Sequence, residues 1–230
     1  MNAKIIVALD VSSREQALGL VKALLDLAGM FKVGSRLFMA AGPAIVGEIQ
    51  AAGSKVFLDL KFHDIPNTVT HAAVEAAKLG VSMMTVHASG GRSMMRSVAK
   101  ELRGLGGRSK PIVVAVTVLT SLDTGGLFEI GIEQAVERQV QRLALLAQEC
   151  GIDGVVCSPR EIQLVRKVVN PAFKIVAPGI RLPDQSLDDQ QRIATPGDAL
   201  RSGADYIVVG RAVTGDRDPR AAMERLIQSI

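Results

Sequence analysis

Short apolar runs rich in β-branched residues recur along the chain, each ending in polar residues, and amphipathic stretches separate them. The runs are 5–10 (IIVALD), 30–35 (MFKVGS), 55–61 (KVFLDLK), 83–89 (MMTVHAS), 111–120 (PIVVAVTVLT), 154–158 (GVVCS), 173–181 (FKIVAPGIR) and 205–211 (DYIVVGR). Runs of this length and composition predict strands. Between them, 13–29 (SREQALGLVKALLDLAG), 68–80, 133–151 and 219–230 carry apolar residues at helical spacing, and several close on a glycine placed as a helix C-cap. Eight strands alternating with helices predict an α/β fold, a (β/α)8 TIM barrel, in preference to an open doubly wound sheet.

Composition agrees with that reading. The chain of 230 residues is 48% hydrophobic with no Trp, which suits buried parallel strands under helices. No linker or low-complexity tract interrupts it, so residues 1–230 are expected to form a single domain. Lys and Arg number 27 against 23 Asp and Glu, a net charge of +4 without a basic run or interleaved aromatics. That balance favours small anionic molecules over nucleic acid. Cys150 and Cys157 lack C-x-x-C spacing, so neither a disulfide framework nor a zinc site is suggested. The N-terminal MNAKIIVALDVSS lacks a signal-peptide pattern, and no apolar run approaches the roughly 20 residues that span a bilayer. The expected compartment is the cytoplasm.

In such barrels the chemistry sits at the C-terminal strand ends. Those ends bring together Asp10, Lys32, Asp59 and Lys61, with His87, Thr117 and Thr120 further round the ring. Asp59 and Lys61 are two apart on a strand and so face one side, the barrel interior. Buried charges are tolerable only when paired, which predicts an alternating lysine and aspartate array. Asp64 has two readings, a member of that array or a cap for a helix beginning near Pro66. On the far side of the mouth, APGIR (177–181) and VVGRAV (208–213) set Gly179, Arg181, Gly210 and Arg211 at the last two strand ends. Glycine admits close approach to backbone N–H groups and arginine supplies a fixed cation, so this edge is read as a phosphate site. The long polar segment 182–191 (LPDQSLDDQQ) could then close over the ligand. ASGGRS (88–93) is read as a turn before a helix, and His63, His71 and His87 as packing or loop residues rather than metal ligands.

Taken together, these motifs resemble the orotidine 5′-phosphate decarboxylase family over essentially the whole chain. The strongest element is DLKFHDIPNT (59–68), similar to the family signature D-x-K-x-x-D-I-x-x-T, and ALD (8–10), FKVG (31–34), TVLTS (117–121), APGIR, DDQ (188–190) and VVGR (208–211) follow in the expected order. The resemblance implies decarboxylation of orotidine 5′-monophosphate to uridine 5′-monophosphate, without metal or other cofactor. Lys61 would protonate pyrimidine C6, and Lys32, Asp59 and Asp64 would complete the charged array. Asp10 and Lys32 would hold the ribose, Thr120 would lie at the base, and Arg181, Gln190, Gly210 and Arg211 would bind phosphate. The resemblance also implies a homodimer in which Asp64 and Thr68 reach into the partner's site. Two alternatives stand beside it. One is a magnesium-dependent sugar-phosphate decarboxylase or aldolase of the same superfamily, although Lys32 stands where those relatives carry a metal-binding glutamate. The other is a non-catalytic nucleotide-binding barrel.

Overall fold

The computed structural model describes residues 2–105, 110–180 and 194–230. Eight parallel strands pair in chain order and the last closes on the first, forming the TIM barrel expected from the alternation of patterns. The strands are β1 (Asn2–Ala8), β2 (Ala28–Gly34), β3 (Val56–Phe62), β4 (Met83–His87), β5 (Ile112–Val116), β6 (Gly154–Val156), β7 (Lys174–Ala177) and β8 (Tyr206–Val209). Helices such as Arg14–Leu24, Pro66–Lys78, Val136–Glu149 and Pro219–Gln228 return the chain from each strand to the next.

Strand alternation divides the apolar residues between two cores. Ile6, Ala8, Met30, Phe57, Met83, Val114, Val176 and Val208 pack together along the barrel axis. Their neighbours in sequence, among them Ile5, Val7, Phe31, Leu58, Met84 and Ile175, face outward and are buried under the helices. The inward row therefore begins apolar at the N-terminal side and turns charged where β1, β2 and β3 end. On β3 the change comes two residues after Phe57, at Asp59.

Several boundaries differ from the pattern-based expectation. The stretch 13–29 is not one helix: the helix ends at Leu24 and β2 begins at Ala28. Gly29, expected as a C-cap, lies within β2, where a Cβ would stand 2.6 Å from the carbonyl oxygen of Ala3. It is there for close strand approach, not for a turn. Gly80 and Gly151, by contrast, follow helices with φ of 77° and 79°, as a helix-ending glycine should. The runs 111–120 and 173–181 leave the sheet early, at Val116 and Ala177, so Thr117, Thr120 and Gly179 occupy loops above the barrel. Among the described residues, no helix is long and apolar enough to cross a membrane.

Candidate active site

The C-terminal ends of the strands surround a cavity of about 490 Å³. Its floor is the upper tier of the axial core, including Ala8, Phe57, Val176 and Val208, and its rim carries Asp10, Lys32, Asp59, Lys61 and Arg211. Each charged group on the β1 to β3 side reaches the cavity because it continues an inward row: Asp10 after Ala8, Lys32 after Met30, and Asp59 after Phe57.

The charges alternate in space. Lys32 Nζ donates to Asp10 Oδ1 at 3.0 Å and lies 3.5 Å from Asp59 Oδ2. Lys61 Nζ donates to both oxygens of Asp59, each at 3.0 Å. Lys32 and Asp59 are buried, whereas 40% of the Lys61 side chain is accessible. Burial opposes ionisation of Asp59, yet Lys32 and Lys61, with hydrogen bonds from Lys61 and Thr85, outweigh it and hold the carboxyl below the ordinary carboxylate range. Gly34 preserves this packing, since a Cβ there would stand 3.2 Å from both Asp10 Oδ1 and Lys32 Nζ.

Lys61 is the one non-glycine with positive φ among the described residues, at 51°. A side chain in that left-handed region costs about 1–2 kcal/mol, so the surroundings must hold it there. Pairing of β3 with β4 shifts between Leu58 and Phe62, and the Lys61 N–H is taken by Thr85 Oγ1 at 2.8 Å. Nearby, the rings of His63 and His87 stack with centroids 5.1 Å apart. Burial, then the proximity of His63 and Lys61, lowers the basicity of His87. Its Nδ1 accepts from Ser89 N at 3.3 Å, which fits a packed, neutral imidazole.

The expected residues separate into three sets. Asp10, Lys32, Asp59, Lys61, Thr120, Gly210 and Arg211 line the cavity, as does Gly179 with φ of 77°. Asp64 and Thr68 do not: both are exposed around the start of the helix Pro66–Lys78 and make no contribution to the cavity of their own chain. Asp64 is not that helix's cap either, because Ile65 holds the cap position and Asp64 Oδ1 accepts from the adjacent Ile65 N–H at 2.6 Å. Arg181, Gln190 and the segment 182–191 lie outside the described residues. Thr117, collected with the strand ends, is buried and donates to the Val156 carbonyl at 2.9 Å, a structural bond.

Three residues at the mouth were not singled out from sequence. Gly34 sits against the ion pair, Arg36 Nη1 donates to the Asp10 carbonyl at 3.2 Å, and Thr85 bonds both Asp59 and Lys61. Thr85 left a readable signal, being a polar residue two places after the inward Met83. Among the described residues no three His, Cys, Asp or Glu side chains gather as a metal site requires; the mouth's two carboxylates have an ammonium between them.

A closed barrel of parallel strands with its ionisable groups gathered at the C-terminal mouth defines a TIM-barrel protein of the enzyme type. The family model for the orotidine 5′-phosphate decarboxylase / HUMPS family matches residues 3–226. Orotidine 5′-phosphate decarboxylase of Moorella thermoacetica is 51% identical, over 99% of this chain and 92% of that protein. The protein of the same name from Geobacter sulfurreducens is 50% identical over 99% and 95%. Among solved structures, orotidine 5′-phosphate decarboxylase from Lactobacillus acidophilus superimposes with a TM-score of 0.86 at 40% identity, covering 98% of this chain and 97% of the other. That from Pyrococcus horikoshii gives 0.79 at 27% identity, covering 98% of each. The chain belongs to the orotidine 5′-phosphate decarboxylase family.

Proposed function

We propose that the protein converts orotidine 5′-monophosphate to uridine 5′-monophosphate and carbon dioxide, in the formation of pyrimidine nucleotides, with Lys61 as proton donor and with no metal or other cofactor. The observation that carries this reading is the alternating series Asp10, Lys32, Asp59 and Lys61 at one end of the cavity. As the bond from pyrimidine C6 to the carboxylate breaks, its electron pair stays on C6. An ammonium held beside that carbon stabilises the developing charge and then supplies the proton, forming the C6–H bond. Lys61 has the accessibility to regain its proton from water afterwards, while Asp59 fixes it through two hydrogen bonds.

The remaining roles follow the cavity. Asp10 and Lys32 are proposed to hold the ribose hydroxyls and Thr120 to lie at the base; all three line the cavity. Gly210 and Arg211, with Arg181 and Gln190, are proposed to take the phosphate, whose binding energy serves the step at the other end of the substrate. Lys32 supports the metal-independent reading, because its ammonium fills the space between carboxylates that a divalent ion would need. The acting unit is proposed to be the barrel domain of residues 1–230, working in the cytoplasm as a homodimer, with exposed Asp64 and Thr68 completing the partner's cavity.

The test is the ultraviolet spectrum of orotidine 5′-monophosphate incubated with purified protein in EDTA, beside the Lys61→Ala variant. Conversion by the wild type, slowed by about a hundredfold or more in the variant, is the expected result. Conversion only after magnesium is restored would refute cofactor independence, and wild-type rates in Lys61→Ala would remove Lys61 from its role.

A further inference from the structure

The bulge in β3 is built against a single residue of β4. Leu58 pairs with Met84 and Phe62 with Val86, so Asp59, Leu60 and Lys61 together face Thr85 alone. Three residues against one cannot keep a regular ladder of backbone hydrogen bonds. At Lys61 the chain turns left-handed, and its N–H donates at 2.8 Å to the hydroxyl of Thr85 instead of to a strand carbonyl. Having accepted there, that hydroxyl directs its own proton to Asp59 Oδ1 at 3.1 Å. The Thr85 side chain is fully buried, at 0% exposure, so no water competes for either bond.

We infer that Thr85 is a positioning residue for the decarboxylation, one hydroxyl that clamps the Lys61 backbone and the Asp59 carboxylate in the arrangement from which Lys61 reaches the substrate. The inference rests on the reading of Lys61 as proton donor. A threonine that merely filled space at this position would be interchangeable with valine, which has the same shape. Valine, however, leaves the Lys61 N–H without its acceptor and the Asp59 oxygen without one of its donors. The left-handed turn at Lys61 would then lose a bond that holds it, and the ammonium would lose its fixed place relative to Asp59.

The experiment compares kcat, KM and the pH profile of wild type, Thr85→Val, Thr85→Ser and Lys61→Ala. Thr85→Val is expected to lower kcat by about ten- to a hundredfold, the order that misplacement of a reacting group produces, with little change in KM because the phosphate end is untouched. Its acid limb should move to higher pH, since Asp59 loses a donor that favours its ionised form. Thr85→Ser, which keeps the hydroxyl, should recover most of kcat. Wild-type kcat in Thr85→Val overturns the inference, as does a Thr85→Ser variant no faster than Thr85→Val. If Thr85→Val does not fold, Thr85→Cys replaces it, its thiol being a poor partner for both bonds; equal rates in the Ser and Cys variants then overturn the inference. Lys61→Ala separates the two readings. Should it turn over like wild type, the proton-donor reading fails and the positioning role with it; should it be inactive while Thr85→Val is fast, only the role of Thr85 fails.

Discussion

Asp59 is buried and nonetheless more acidic than a free carboxyl, because the cations and donors around it outweigh the burial. Among the separate interactions that favour its charged form, the charge of Lys32 is the largest, while Lys61 acts through both its charge and its hydrogen bonds. Replacing Lys32 by Met should therefore raise the Asp59 pKa, a shift readable in carboxyl carbon chemical shifts during an NMR titration. The sign for stability follows. A carboxyl more acidic folded than unfolded contributes stability that is fully present above its unfolded pKa of about 3.9 and is lost as pH falls through the lower folded value. Lys32→Met removes part of that contribution, so urea unfolding at neutral pH should show a less stable variant, and the gap should narrow as both proteins are titrated through the acid region. Equal stability at neutral pH would mean that Lys61 alone holds the carboxylate. Asp59 and Lys61 were legible as a pair because two-residue spacing on a strand puts them on one face. The left-handed backbone at Lys61 was not, because alternation assumes a regular strand and says nothing of where one bends.

At the scale of elements, the barrel was legible because every strand is an apolar run bounded by polar residues, and its tightest contacts were not. Gly154 illustrates the difference. It begins β6 beside β7, and a Cβ there would lie 2.4 Å from the carbonyl oxygen of Lys174. The neighbour is backbone held in the sheet and cannot swing aside. Gly154→Ala should therefore destabilise the fold by about 1–3 kcal/mol, the usual cost of overpacking, which exceeds the roughly 0.4–1 kcal/mol that alanine gains by restricting the unfolded chain. Denaturant unfolding of the variant checks the sign, and a midpoint at or above wild type would contradict it. Gly29 has the pattern of a helix end for a related reason: a glycine at a helix boundary and a glycine between two strands look alike until the strand pairing is known. Only the partner backbone, at Ala3 or Lys174, tells them apart.

Taken as a whole, the chain encloses a cavity to which it brings Asp10, Lys32, Asp59 and Lys61 but not Asp64 or Thr68. The sequence motif runs continuously from Asp59 to Thr68, whereas the structure divides it at His63 into a part that faces inward and a part exposed at the surface. The proposed site shared between subunits would account for that division. Mixed subunits of Lys61→Ala and Asp64→Ala, each inactive alone, should recover about a quarter of wild-type activity on statistical pairing, since each mixed dimer then holds one intact site. No recovery on mixing, with dimer exchange verified by native mass spectrometry, would count against it. A partner's share in a site lies beyond reach of any pattern in one chain's hydrophobicity, because an exposed aspartate before a helix has the same local signature whether it meets solvent or a neighbour.

The axial core bears on traffic. Phe57, Val176 and Val208 form both the top of the apolar column and the floor of the cavity, and the column continues beneath them through Ile6, Met30 and Met83. Among the described residues, that column closes the cavity from below. A reaction that turns one molecule into two in that cavity must send both out by the mouth through which the first came in.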